Sequence, residues 1–295
     1  MLRKLNLFCL GSSAALCALL ILSFAGCGSS SSSSAIQVSG SDTMVNVAQK
    51  WAEVYMETNP DIQIQVAGGG SGLGIASLID GDIQMANASR KMKDEELKLA
   101  QENTGKEPQE FVVGRDALAI YVHKDNPLEE ITLAQLADIY GNGGKTITWT
   151  QLGNKVAGCA SDEIVRVSRQ SSSGTYVYFR EAVLGKERDY KQGSLDQSGS
   201  KDVVDLVAKT PCAIGYSGMG YATDQVKMLK VVGTPDSEGI APTVENAKNG
   251  SYPIARPLLI YTLGQPEGKT KIYLDWIMSD DGQKIVSDLG YVPLK

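Results

Sequence analysis

Three short turns rich in glycine, serine and threonine hold the residues best suited to chemistry. They are Ser39 to Thr43, Gly68 to Gly72, and Ser171 to Thr175. Each precedes apolar residues with helical spacing, so each is expected to open a helix. The first N–H groups of a helix have no partner within it, and the aligned peptide dipoles add partial positive charge there. Glycine lets the backbone approach a ligand closely, and serine and threonine add hydroxyl donors. Such a turn can hold an anion without a metal. Arg169, just before the third turn, adds a planar fork of donors that suits an oxyanion. The same residue types also serve as ordinary helix caps. Three such turns, one beside an arginine, shift the odds toward a site, but spacing alone leaves both readings open.

Other motifs fall short. Gly144-Lys145-Thr146 resembles the end of a phosphate-binding loop, but the glycine required five positions earlier is Ile139. Leu73 spoils both the GxGxxG spacing at Gly68 and the GxSxG elbow around Ser71. The chain has one histidine, His123, in the polar turn His123-Lys124-Asp125-Asn126-Pro127, where it reads as a surface residue rather than a catalytic base. A histidine-rich metal site is excluded, and no cofactor or metal is expected. Trp51 and Tyr55 lie on a helical stripe and read as core.

The elements that must position the turns follow a recurring order of strand, glycine-rich polar turn and helix. Ile36 to Val38 is a strand. Met44, Val47, Ala48, Trp51 and Tyr55 mark one helix face, stopped by Asn59-Pro60. Ile62, Ile64 and Val66 alternate as a strand, and a helix runs from the second turn through Ile79. Further strands are expected at Ile83 to Ala86, Asp116 to Val122, Ile164 to Val167, Ala213 to Tyr216 and Leu258 to Leu263. Thr132 should cap a helix ending at Tyr140. Another should run from the third turn to Leu184, and two more should fill Thr270 to Leu289. This is the pattern of an α/β fold with a mainly parallel sheet.

The 295 residues are 42% apolar and 21% charged, an ordinary globular composition. The net charge of -6 gives no reason to expect a nucleic-acid partner. At the N-terminus, Arg3 and Lys4 precede a nearly apolar run from Leu5 to Ala25, which ends in Phe24-Ala25-Gly26-Cys27. Residues 1–26 therefore read as a secretory signal peptide. The ending is similar to a bacterial lipobox, in which the cysteine becomes lipidated, with Phe24 in place of the usual leucine. Cys27 and the serines Ser29 to Ser34 (residues 27–34) then form a lipidated tether. The competing reading is an uncleaved membrane anchor. Either way the folded body lies outside the plasma membrane. Loss of Arg3 and Lys4 takes the body from -6 to -8. Cys159 and Cys212 remain, and an oxidising compartment lets them pair.

At the turns the sequence resembles the PstS family, the extracytoplasmic phosphate-binding receptors of phosphate ABC importers. The marks are Gly40-Ser41-Asp42-Thr43, Gly68-Gly69-Gly70-Ser71-Gly72, Ala88-Ser89-Arg90, the run from Arg169 to Ser173-Gly174-Thr175, Ala213-Ile214-Gly215-Tyr216, Tyr252-Pro253-Ile254-Ala255-Arg256-Pro257 and Gly290-Tyr291-Val292-Pro293-Leu294. The resemblance implies a two-lobed, type II periplasmic-binding-protein fold with a hinge of two crossing segments. Residues 35–112 plus 254–295 would form one lobe and 113–253 the other. Thr43 and the N–H of Met44, Ser71 and Ser89 would bind the ligand from the first lobe. Arg169, Ser173, Gly174 and Thr175 would bind it from the second. Many family members carry aspartate where this chain has Arg90, to accept a hydrogen bond from protonated phosphate and repel sulfate. Asp116 or Asp42 would then supply the acceptor, with Asp116 preferred. The implied function is capture of inorganic phosphate by a monomeric, lipid-anchored receptor and delivery to an ABC permease and its ATPase subunit. The alternatives are another oxyanion, such as sulfate, molybdate or tungstate, a phosphate sensor, or a serine-dependent phosphatase or esterase.

Overall fold

The computed structural model describes residues 35–294. The expected signal peptide, Cys27 and the expected serine tether lie outside the described residues. Strand β1 (Ile36–Gly40) leads through α1 (Val45–Thr58) to β2 (Ile64–Ala67), then through α2 (Ser71–Ile79) to β3 (Met85–Ala88) and α3 (Asp94–Thr104). β1 pairs in parallel with both β2 and β3. α1 buries Val47, Ala48, Trp51, Ala52 and Tyr55, the stripe its spacing requires, and Trp51 Nε1 donates to the Gly282 carbonyl at 2.8 Å. The strand expected at Ile83 begins instead at Met85. Gly81, at φ 81°, turns the chain just before it, and only Met85–Ala88 are buried on both faces.

β4 (Pro108–His123) is more than twice as long as the strand expected from Asp116, because Gln109, Glu110 and Arg115 interrupt its apolar run. β5 (Glu130–Thr132), α4 (Leu133–Tyr140), β6 (Val165–Arg169), α5 (Gly174–Phe179), β7 (Leu195–Gln197), α6 (Ser200–Lys209) and β8 (Ala213–Gly218) follow. Thr132 caps α4, its hydroxyl accepting from the Gln135 N–H. The helix expected to reach Leu184 ends at Phe179 and continues as a wider π-helical turn. β9 (Val226–Met228), β10 (Lys230–Val232), α7 (Val244–Lys248), β11 (Ala255–Leu263), α8 (Gly268–Ile277) and α9 (Asp280–Asp288) complete the order.

The main sheet runs β2-β1-β3-β11-β4-β8-β6-β7, with β9 added beside β4. It is mixed rather than mainly parallel. β11 is antiparallel to β3 and β4, and β4 is antiparallel to β8. β11 returns late in the chain and inserts between strands laid down first. The apolar core falls into separate clusters. One joins Trp51, Tyr55, Val113, Leu258 and Tyr273, with a smaller one around Ile75, Leu78 and Leu259. Another joins Leu118, Ile120, Trp149, Phe179, Val203 and Ile254. β4 contributes Val113 to the first cluster and Ala117 to Val122 to the last, and β11 contributes Leu258 and Ile260 to the first while Ala255 packs against the last. This is the two-lobed type II fold, with β4 and β11 as its two crossing segments. In the second lobe Cys159 and Cys212 are disulfide-linked, with a Cα–Cα distance of 5.3 Å.

Candidate functional site

All three turns open helices, and all three meet. Ser71 is the first residue of α2 and Gly174 the first of α5, where Ser173 Oγ accepts from the Thr175 N–H at 3.1 Å. The side chains of Thr43, Ser71, Ser89, Asp116, Arg169, Ser173 and Thr175 are all buried. Thr43 Oγ1 lies 2.9 Å from Thr175 Oγ1, joining hydroxyls from the two sides of the fold. The Gly72 N–H donates to the Ser172 carbonyl at 3.0 Å, a second bond across the same cleft. Gly174 lets the helices approach this closely: a Cβ there would lie 2.3 Å from Ser71 Oγ and 2.7 Å from Ser89 Oγ. Ser71 Oγ accepts from the Ser89 N–H at 3.1 Å, and Ser41 Oγ donates to Ser89 Oγ at 3.0 Å. The Met44 N–H donates to the Ser41 carbonyl at 2.9 Å, so that donor is engaged in its own turn, and the Met44 side chain packs in the core.

Two buried arginines frame the cluster. Arg169 Nη2 donates to Asp42 Oδ2 and to the Ser198 carbonyl, both at 2.8 Å. Burial lowers the Arg169 pKa and the Asp42 charge raises it. Arg256 lies at the start of β11, opposite Asp116 in the β4 register. Its Nη2 is 3.0 Å from Asp116 Oδ2, 3.0 Å from Thr175 Oγ1 and 3.2 Å from Thr43 Oγ1. Both members of this ion pair are fully buried. Burial pushes the Asp116 pKa up, opposed by the Arg256 charge and by the Met219 N–H at 3.2 Å. Tyr221 donates to the Asp42 carbonyl at 2.6 Å, and burial holds its hydroxyl protonated, with a pKa of about 12.

Turn spacing includes Ser41 and Asp42 in the first candidate turn but does not point to Arg256 as a partner in this cluster. Arg256 and Asp116 do carry a signal: each is a single charge embedded in an apolar strand, and a buried charge requires a partner. Arg90 takes a different path. Its guanidinium binds Glu96 with two bonds of 2.7 Å, and this pair is largely buried rather than exposed. His123 ends β4, and its Nδ1 accepts from the Asp125 N–H within the expected turn. Among the described residues no group of acidic, histidine or cysteine side chains is placed to hold a metal.

A two-lobed sheet with helix starts converging on a polar cleft is the architecture of solute-binding proteins, and a model of the PBP superfamily domain matches residues 27–281. Among curated proteins, the phosphate-binding protein PstS of Pseudomonas aeruginosa is 36% identical over 265 residues, covering 86% of this chain and 81% of the relative. PstS of Bacillus subtilis is 33% identical over 272 residues, covering 90% and 83%. The crystal structure of a phosphate ABC transporter substrate-binding protein from Clostridium perfringens, with bound phosphate, aligns with a TM-score of 0.78 at 32% identity. That alignment covers 88% of this chain and all of the other. A phosphate transport receptor from Vibrio cholerae aligns with a TM-score of 0.68 at 27% identity, over 87% of this chain and 99% of the other. The chain belongs to the PstS family of phosphate-binding proteins.

Proposed function

We propose that this protein captures inorganic phosphate in the cleft between its lobes and delivers it to an ABC permease driven by an ATPase subunit. The observation that carries this reading is the convergence of three helix-opening turns and two buried arginines on one polar cleft. Thr43, Ser71 and Ser89 enter from one side, and Ser173, Gly174 and Thr175 from the other. The names of the relatives support the same ligand, and those relatives are binding proteins rather than enzymes. The lobes are residues 35–112 plus 254–295 and residues 113–253. Val113 still packs in the first core and Ile254 still packs in the second, so each strand crosses just beyond those bounds.

Calorimetric titration of the body from Ala35 with phosphate, then sulfate, molybdate and a phosphate ester, tests the reading. Saturable heat with phosphate is expected, without turnover of the ester. Tighter binding of another oxyanion would reassign the ligand, and ester hydrolysis would overturn the receptor function.

Asp116 accepts a hydrogen bond from protonated phosphate and so disfavours fully ionised sulfate. Asp116→Asn also leaves Arg256 without its counter-charge, so the informative quantity is the ratio of phosphate to sulfate affinity. An unchanged ratio would remove Asp116 from this role. The protein is lipidated at Cys27, works as a monomer and lies outside the plasma membrane. Among the described residues no helix is long and apolar enough to cross a membrane. Palmitate labelling of cells tests the anchor, and the label should vanish in Cys27→Ser.

A further inference from the structure

We propose that the second lobe carries a further binding site, a cavity beside the edge strand β7 that takes a small zwitterion such as an amino acid, its ammonium on Asp196 and its carboxylate on Lys191. The cavity has a volume of about 240 Å³ and is lined by Ser168, Tyr176, Tyr190, Lys191, Ser194 and Asp196 among others. Ser168 and Asp196 are register partners in β6 and β7, so their side chains share one face of the sheet. Arg169, the next residue, turns to the other face, where its Nη1 meets Ser200 of α6. The cavity therefore lies on the face turned away from the Arg169 side chain, and it stands independently of the phosphate reading of the cleft.

The two charged walls lack partners. The ion pairs among the described residues include neither Lys191 nor Asp196, so the two are not joined to each other although they line one space. Lys191 Nζ donates to the Asp138 carbonyl at 3.3 Å, which leaves two of its three donors for other acceptors. The Asp138 carboxylate is itself taken by the N–H groups of Lys145 and Thr146. Burial and the Arg166 charge lower the Lys191 pKa, against the pull of Asp138, and Arg188 lowers it further. Burial raises the Asp196 pKa. Each charged form is disfavoured where it stands for want of an opposite charge. A zwitterion supplies both charges at once. A simple anion would meet Asp196, and a simple cation would meet Lys191, each at a like-charge cost.

The remaining walls are preformed. Ser168 Oγ lies 2.6 Å from the Tyr216 hydroxyl, which lies 2.9 Å from that of Tyr190, and Tyr190 donates to the Tyr176 carbonyl at 2.8 Å. The rings of Tyr176 and Tyr190 stack with centroids 4.3 Å apart. Arg166, two positions before Ser168 and so on the same strand face, donates from Nη2 to the Gln192 carbonyl at 2.7 Å and pins the loop that carries Lys191 and Ser194. The Ser194 hydroxyl is buried without a partner, an unmet bond that a polar ligand would relieve. Walls fixed in this way cost a ligand little ordering on entry. The volume equals the share of about eight waters, room for one small amino acid.

The test is amide NMR of the wild-type protein titrated with each of the standard amino acids, with acetate and with methylammonium. At least one amino acid should saturate with a Kd below about 10 mM, and its shifts should centre on Tyr190 to Asp196 and on Ser168 and Tyr176. Acetate and methylammonium each carry one of the two charges and should bind more weakly by about tenfold or more. Asp196→Asn and Lys191→Met should each weaken the amino acid by about tenfold or more, with an unchanged melting temperature as the control for folding. The proposal is overturned if no amino acid saturates below that limit, or if the shifts centre on Thr43, Ser71 and Thr175 in the cleft. Acetate or methylammonium binding within tenfold of the amino acid, or a smaller loss in either folded variant, overturns it as well. Should a variant fail to fold, the wild-type shift map and the two half-ligands decide.

Discussion

Replacing Gly174 with alanine separates anion capture from folding. Gly174 opens α5, where alanine is a better helix former than glycine, so the helix itself is not weakened. The obstacle lies across the cleft. The new methyl would sit 2.3 Å from Ser71 Oγ, 2.7 Å from Ser89 Oγ and 3.0 Å from Ser71 Cβ. Neither hydroxyl is free to swing aside. Moving Ser71 Oγ gives up its bond from the Ser89 N–H, and a buried N–H without a partner costs ~1–3 kcal/mol. Moving Ser89 Oγ gives up the bond from Ser41, about 1 kcal/mol more. The alternative is that the lobes stay apart, which forfeits the Thr43–Thr175 and Gly72–Ser172 contacts. Either route disfavours the joined lobes by roughly 2–4 kcal/mol, or about 30- to 1000-fold in phosphate affinity. Calorimetry measures that loss, and thermal unfolding without phosphate serves as the control. The unliganded melting temperature should change little, while the rise produced by phosphate should shrink. Phosphate affinity within about threefold of wild type, on a folded variant, would refute the claim that α2 and α5 must touch for the anion to be held.

Tyr140→Phe removes a buried hydroxyl that donates to the carbonyls of Val167 at 3.1 Å and Ile214 at 2.8 Å. A loss of about 1–2 kcal/mol is expected, read as a lower urea midpoint at unchanged slope. Cys159→Ser/Cys212→Ser opens a crosslink between residues 53 apart, and the chain-entropy account allows a loss of up to about 4 kcal/mol. Dithiothreitol should reproduce that shift in wild type and do nothing to the variant. Burial pushes the Glu96 pKa up, but the Arg90 guanidinium and the Lys93 N–H outweigh it and hold the carboxyl below its ordinary 4.5. Its contribution to stability is therefore present above about pH 4.5 and lost as pH falls through the lower folded value. Glu96→Gln should be less stable than wild type at pH 7, with the gap closing toward pH 3, and a gap constant over that range would refute the pairing.

The turns were legible because their chemistry is local. Glycine, serine and threonine at a helix start announce free N–H groups within a few residues, whatever the tertiary fold. Thr132 shows the same legibility outside this cluster: it caps α4 and ends β5 beside Val232. What separates Thr175 from Thr132 is a neighbour at Thr43, 132 positions away in sequence, and no local pattern carries that information. Arg256 is harder still. It reaches Thr175 across 81 positions and Thr43 across 213, and its place follows from β11 pairing with β4 in a register that sets it opposite Asp116. The mixed sheet was missed for the same reason. Parallel units such as β1-α1-β2 are written in contiguous sequence, whereas the insertion of a late strand between β3 and β4 is a long-range event.

The ion pairs around the cleft suggest how these parts combine. Arg90 pairs with Glu96 six positions away, Arg169 with Asp42 across the lobes, and Arg256 with Asp116 across the hinge strands. An anion entering between Thr43 and Thr175 therefore meets cations that already have carboxylate partners. Such a cleft does not attract by surplus charge. Its hold depends on the number of hydroxyl and N–H dipoles aimed at one point, and on whether a paired arginine can turn a donor toward the anion without losing its carboxylate. Arg169 reaches one hydroxyl, Ser200 Oγ, besides its carboxylate, whereas Arg256 abuts two, Thr43 and Thr175, and those come from opposite lobes. The energy of binding and the energy of lobe closure then fall on the same few atoms, which makes closure conditional on a ligand that satisfies all of them together.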